Sequence, residues 1–148
     1  MSATNAFETS LLQHIFQNAA IANIGDATGL PASATAGSLY VSLHTADPGE
    51  AGAQNTSEAA YTGYARQAVA RSGSGWTVSG NNASNAAAVA FGPCTSGSAT
   101  LTHFGIGTAS SGAGNLLFKG ALTASISVTT TSNATQTFAI GALDVDVD

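Results

Sequence analysis

Apolar residues recur at helical spacing only before Gly25; from Ser38 onward they alternate with period two. This switch allows one helix at the front of a chain that otherwise forms strands. Asn5 is placed to cap that helix, with Glu8 three residues later at the spacing of a capping box. Phe7, Leu11, Leu12, Ile15, Phe16 and Ala19 then form one apolar face. GDATGLPASATAG reads as a loop. In SLYVSLH, Leu39, Val41 and Leu43 alternate with Tyr40, Ser42 and His44, as in a half-buried strand. Further strands are expected in YARQAVAR, WTV, AAAVAF, ATLTHFGIG, NLLFKGAL, SISVTT, TQTFAIGAL and LDVDVD. SGSG, NNASN, Gly92-Pro93, SSGAGN and TSNAT supply turns between them. The expected fold is mainly β: a single antiparallel β-sandwich, jelly-roll-like, with one N-terminal amphipathic helix. One domain over 1–148 is expected, with a helical arm at 1–24 and a β-domain at 36–148. There is no fixed-period repeat, Gly-X-Y pattern or heptad.

Charge is scarce. Of 148 residues, 7% are Asp, Glu, Lys or Arg, where about 25% is usual. Hydrophobic residues at 44% are enough for a core, so low charge does not signal disorder. Three Lys and Arg, within a net charge of -5, cannot form a phosphate-neutralising face, which excludes nucleic acid and disfavours an anionic membrane. No stretch approaches the roughly 20 apolar residues of a membrane helix. MSATNAFETSLLQHIF lacks the basic start and apolar run of a secretion signal, so synthesis and retention in a cytoplasm are expected. The single cysteine, Cys94, excludes an intramolecular disulfide.

No catalytic or metal-binding constellation emerges. His14, His44 and His103 lack metal-ligand spacing. Cys94 lies in GPCTSG with no basic neighbour to activate it, and no G-x-S-x-G elbow occurs. Glu8, Asp26, Asp47, Glu50 and Glu58 fall singly in the helix or in loops, and the Gly-rich pieces do not match a phosphate loop. The expectation is no enzyme, no cofactor and no metal. In LDVDVD, Asp144, Asp146 and Asp148 share one strand face and Leu143, Val145 and Val147 the other. This pattern suits a final strand with a solvated face that resists edge pairing.

LYVSLHTADPGEAG followed by GYARQAVAR resembles a family of short virion structural proteins of tailed bacteriophages. THFGIG, NLLFKGAL and FAIGAL, with the opening AFETSLLQHIF, extend the resemblance in order along most of the chain. Members are variously labelled head decoration, tail-fibre or virion structural proteins. The resemblance implies a virion location, capsid or tail, after synthesis in the host cytoplasm. A charge-poor surface is cheap to desolvate on assembly, which agrees. The loop from Thr45 to Ala60, with Asp47, Pro48 and Glu50, is the expected contact surface. Tyr61, Tyr64, Arg66, Arg71 and Trp76 accompany it, as aromatic and arginine anchors or as core.

A fibre shaft gains length from repeats or coiled coil, and neither occurs here. The main expectation is therefore a capsid decoration or cement protein that binds major capsid subunits, as a homo-oligomer or in many copies. The alternative is a tail-fibre or tail-tip component in host attachment. A small enzyme or carbohydrate-binding module would need an acid pair or aromatic platform that the sequence does not offer.

Overall fold

The helical segment and the alternating segments that follow it are seen in a computed structural model that describes residues 2–132 and 135–147. The elements are α1 (Asn5–Gln17), β1 (Ser38–His44), β2 (Gln67–Ala70), β3 (Trp76–Ser79), β4 (Asn82–Asn85) and β5 (Val89–Ala90). They continue with β6 (Ser98–Gly107), β7 (Leu116–Thr129), β8 (Thr137–Phe138) and β9 (Asp144–Asp146). Strands join in the order β2-β1-β6-β7 in one sheet and β3-β4-β9 in another. The fold is mainly β with antiparallel sheets and one N-terminal helix, which fits a β-sandwich with an N-terminal helix. Two compact units interleave along the chain: Met1–Ser38, Val69–Val89 and Phe138–Asp148 form the first, and Leu39–Ala68 and Ala90–Thr137 the second.

In the first unit α1 lies against β3 and β4. Its buried stripe is Glu8, Leu12 and Phe16, spaced by four, and Phe16 meets Trp76 edge-on at 4.7 Å between ring centres. The expected apolar face is thus rotated: Leu11 and Ile15 are half-buried and Phe7 is 42% exposed. The expected capping box is absent. Thr4 is the N-cap without a side-chain bond, and Glu8 is drawn into the stripe that Leu12 and Phe16 bury. Helix α1 ends at Asn18, left-handed at φ 56°, and the Ala19 amide reaches back to the Gln13 carbonyl.

The expected turn at NNASN is instead strand β4, antiparallel to β3 and β9. The turn lies earlier, at Gly80-Asn81, because Gly80 adopts the positive φ (62°) that a two-residue hairpin loop requires at its first position. Asn85, the last residue of the central strand β4, is buried. Its side-chain amide donates to the Ala87 and Ala139 carbonyls, and its Oδ1 accepts from the Leu143 amide. In β9, Val145 is buried while Asp144 and Asp146 are exposed, as the alternation predicts. Asp148 lies outside the described residues.

In the second unit β6 pairs antiparallel with β1, from Tyr40 opposite Gly107 to His44 opposite His103. On its other side β6 pairs with β7. NLLFKGAL and SISVTT, expected as two strands, form one. The junction is visible as an irregularity: between the Leu101–Ile126 and His103–Ala121 pairs, β6 advances two residues and β7 five. Leu39, Val41 and Leu43 are buried as expected, with Leu101, Ile106 and Val128.

Trp76 fills the first unit's core with no exposed surface, so Trp76→Ala is expected to cost about 3–5 kcal/mol in urea unfolding. Phe7→Ala, on the exposed side of the same helix, is expected to move the midpoint far less.

Candidate functional site

The loop from Thr45 to Ala60 is folded onto the second unit by buried polar side chains. Ser42 and His44 are both fully buried on β1. His44 Nδ1 lies 2.8 Å from the Thr56 carbonyl, which can only accept, so Nδ1 carries the proton. Nε2 then accepts from the Ser42 hydroxyl at 2.9 Å. Position 105 must be glycine, since a Cβ there would stand 2.8 Å from both His44 Nε2 and Ser42 Oγ. Burial holds the His44 pKa below its ordinary 6.5; the Thr56 carbonyl and Glu58 oppose this, and Arg66 and His103 add to it.

Gln54, also fully buried, ties two loops together. Its amide nitrogen donates to the Tyr40 carbonyl at 2.9 Å, and its Oε1 accepts from the Ala109 amide at 3.1 Å. Its backbone N–H donates to the Gly114 carbonyl at 2.9 Å.

Arg66 and Glu58 form a two-pronged ion pair, Nε to Oε1 and Nη2 to Oε2, each 2.7 Å. The remaining guanidinium donors fasten the 108–115 loop: Nη1 to the Ala109 carbonyl at 2.9 Å and Nη2 to the Gly112 carbonyl at 2.6 Å. The Tyr64 hydroxyl donates to Glu58 Oε1 at 2.8 Å and accepts from the Leu43 amide at 3.0 Å. Burial drives the Tyr64 pKa far above its usual value. Hydrogen bonding to Glu58 raises that of Arg66. Tyr64 stacks on Phe91 and meets Tyr61 edge-on, while the Tyr61 hydroxyl donates to the Gly92 carbonyl.

Asp47 and Glu50 face outward, while Pro48 between them is buried. Lys119 on β7 lies 3.1 Å from a carboxylate oxygen of each. The Gly49 amide and then Lys119 hold the Asp47 carboxyl below its usual range. A recess of about 280 Å³ opens here between Gly49–Gly52 and Leu116–Lys119.

The sequence-derived contact set is therefore divided. Asp47, Pro48, Glu50, Tyr61, Tyr64 and Arg66 come together in the second unit, with only the two acids prominently exposed. Arg71 and Trp76 belong to the first unit. Arg71 caps the C-terminal end of α1, donating to the His14 and Ile15 carbonyls at 2.6 Å each. Trp76 is core, and among the described residues its Nε1 is the one buried side-chain polar atom without a partner. Sequence reasoning passed over Gln54, Glu58 and His44 as structural centres. The scarcity of charge was an available signal for Glu58, an acid eight residues before one of only two arginines. His14 lies in the first unit, its Nδ1 2.7 Å from the Ala19 carbonyl. Among the described residues no three His, Cys, Asp or Glu side chains gather as a metal centre would.

Arg66→Met would leave the Glu58 carboxylate without its partner. A loss of about 3–5 kcal/mol in denaturant unfolding is expected, with the 108–115 amides becoming faster in hydrogen exchange. A second expectation concerns pH. His44 is held neutral when folded and binds a proton more readily when unfolded, so stability should fall as pH drops below 6.5, until the folded protein also takes up the proton. Melting curves from pH 7 to pH 5 should show this loss, and His44→Asn should reduce it; an unchanged slope would contradict the assignment.

A family model described as "Podophage GP4 fiber I protein gp80" matches residues 2–146. No curated protein matches the chain. That match runs through both units, from α1 through the Glu58–Arg66 network to β9, and the chain belongs to this family of phage virion structural proteins.

Proposed function

We propose that this chain is a non-enzymatic fibre component of a bacteriophage virion, and that it serves at the tail. The match of residues 2–146 to a fibre-protein family carries this reading and favours it over capsid decoration. The absence of a shaft repeat had pointed to decoration; a compact fibre component needs no such repeat. The non-enzymatic reading draws support from the Ser42–His44 pair. Both side chains are fully buried, and His44 Nδ1 is bound to a backbone carbonyl rather than an orienting acid.

In this reading the 45–60 loop contacts other virion proteins or further copies of the chain. Asp47 and Glu50 present the surface, while Tyr61, Tyr64 and Arg66 hold the loop in one shape, which lowers the entropy lost on binding. Location and copy number test the reading. Quantitative mass spectrometry of purified virions with antibody labelling is expected to give a few to a few dozen copies, located at the tail; hundreds of copies over the head would restore the decoration reading. Asp47→Asn combined with Glu50→Gln is expected to lower incorporation into virions while moving the unfolding midpoint only slightly, because the ion pairs with Lys119 that it removes are exposed. Full incorporation of that variant would remove the loop from the contact.

A further inference from the structure

His44 is fully buried at the end of β1, yet part of its cover is thin. Its Nδ1 points at the turn Asn55–Ser57, in which Thr56 is half-buried and both neighbours are exposed. On the sheet side the ring is packed tightly, since even a Cβ on Gly105 would stand 2.8 Å from Nε2. The turn is held to the strand by His44 Nδ1 and by the Thr45 amide and hydroxyl, which donate to the Ser57 carbonyl at 2.8 and 3.1 Å. Ser57 sits at φ 53°, a left-handed conformation that a residue with a Cβ adopts at a cost. The flanking residues are anchored independently, Gln54 to Tyr40 and Gly114 and Glu58 to Arg66.

This enclosure suits a neutral imidazole and not a charged one. Protonated, His44 donates from both nitrogens. Nδ1 keeps the Thr56 carbonyl, but Nε2 then needs the Ser42 oxygen as acceptor, and the Ser42 proton is left with the Gly105 carbonyl at 3.4 Å. The surrounding charges do not compensate. Glu58, whose backbone pairs with that of His44, favours the charge, but Arg66 takes both its oxygens, and Arg66 and His103 oppose it. Lys119, opposite Gly105 on β7, is paired with Asp47 and Glu50. Water can relieve a buried imidazolium by lifting the thin turn, without parting the sheet.

We propose that Asn55–Ser57 is an acid-released latch: a proton on His44 swings this turn off the ring and frees Thr45, while Gln54 and Glu58 stay in place. The mouth of the 45–60 loop thereby changes from fixed to mobile with the β-sheet intact. The sign follows from linkage. His44 takes up a proton less readily under the closed turn than under the open one, so acid favours opening, and the effect grows below pH 6.5.

Amide hydrogen exchange of the full chain, followed by NMR at pH 7 and pH 5.5 and corrected for intrinsic exchange rates, tests this. Protection of the Thr45 amide is expected to fall about tenfold at pH 5.5, while Gln54 and the amides of β6 keep theirs. In His44→Asn, folded by circular dichroism, the Thr45 loss is expected to disappear; His44→Gln serves the same purpose if His44→Asn is unfolded. Unchanged protection of Thr45 in the wild type overturns the latch. So does an equal loss at Thr45 and through β6, which is unfolding of the whole unit. A Thr45 loss that persists in the folded His44 variant assigns the effect to another group and overturns it as well.

Discussion

Arg66 is the residue on which the second unit's organisation depends. Its guanidinium meets both oxygens of Glu58 and two carbonyls of the 108–115 loop. Glu58 in turn takes the Tyr64 hydroxyl, and Tyr64 receives the Leu43 amide of β1. Two loops, a strand and an aromatic cluster are thereby referenced to one planar group. A planar fork of donors suits this role in a way that lysine, a point charge, does not. In a chain with three basic residues, committing one to an almost fully buried position shows where rigidity is needed.

The same economy governs the rest of the molecule. Arg71 satisfies carbonyls that the end of α1 would otherwise leave open. Elsewhere amides do the work that charges do in more ordinary proteins. Asn85 joins β4 to the segment leading into β9, Gln54 joins two loops, and Asn18 exchanges a reciprocal pair of hydrogen bonds with Ser33. Amides both donate and accept, and avoid most of the desolvation cost of a buried ion. The abundance of Asn, Gln, Ser and Thr is thus partly an internal framework as well as a surface.

Much of this was legible in the sequence. The single helix, the strand at Leu39–Leu43 and the alternation around Val145 follow from periodicity. What was not legible depends on contacts distant in the chain. The helix rotates so that Glu8 replaces Phe7 on the buried stripe, and periodicity could not reveal this because both faces of α1 carry apolar residues. The turn at Gly80 was misplaced by one step because two asparagines beside it read as turn formers too. Tyr61, Tyr64 and Arg66 were correctly singled out as neighbours, yet no local pattern tells an arginine facing a partner from one facing its own loop. Gln54 carried no signal, since its role exists only once Tyr40, Ala109 and Gly114 have been brought beside it.

The irregular pairing of β6 and β7 bears on how such a chain tolerates crowding. Strand β7 is the outermost strand of its sheet, and from Gly120 to Thr129 it carries neither charge nor proline. A regular ladder of that composition would be a template for any passing strand. By outrunning β6 by three residues, β7 breaks the even sequence of outward N–H and C=O groups midway. The sheet margin is thus guarded by spacing alone, in a chain with almost no charge to place there.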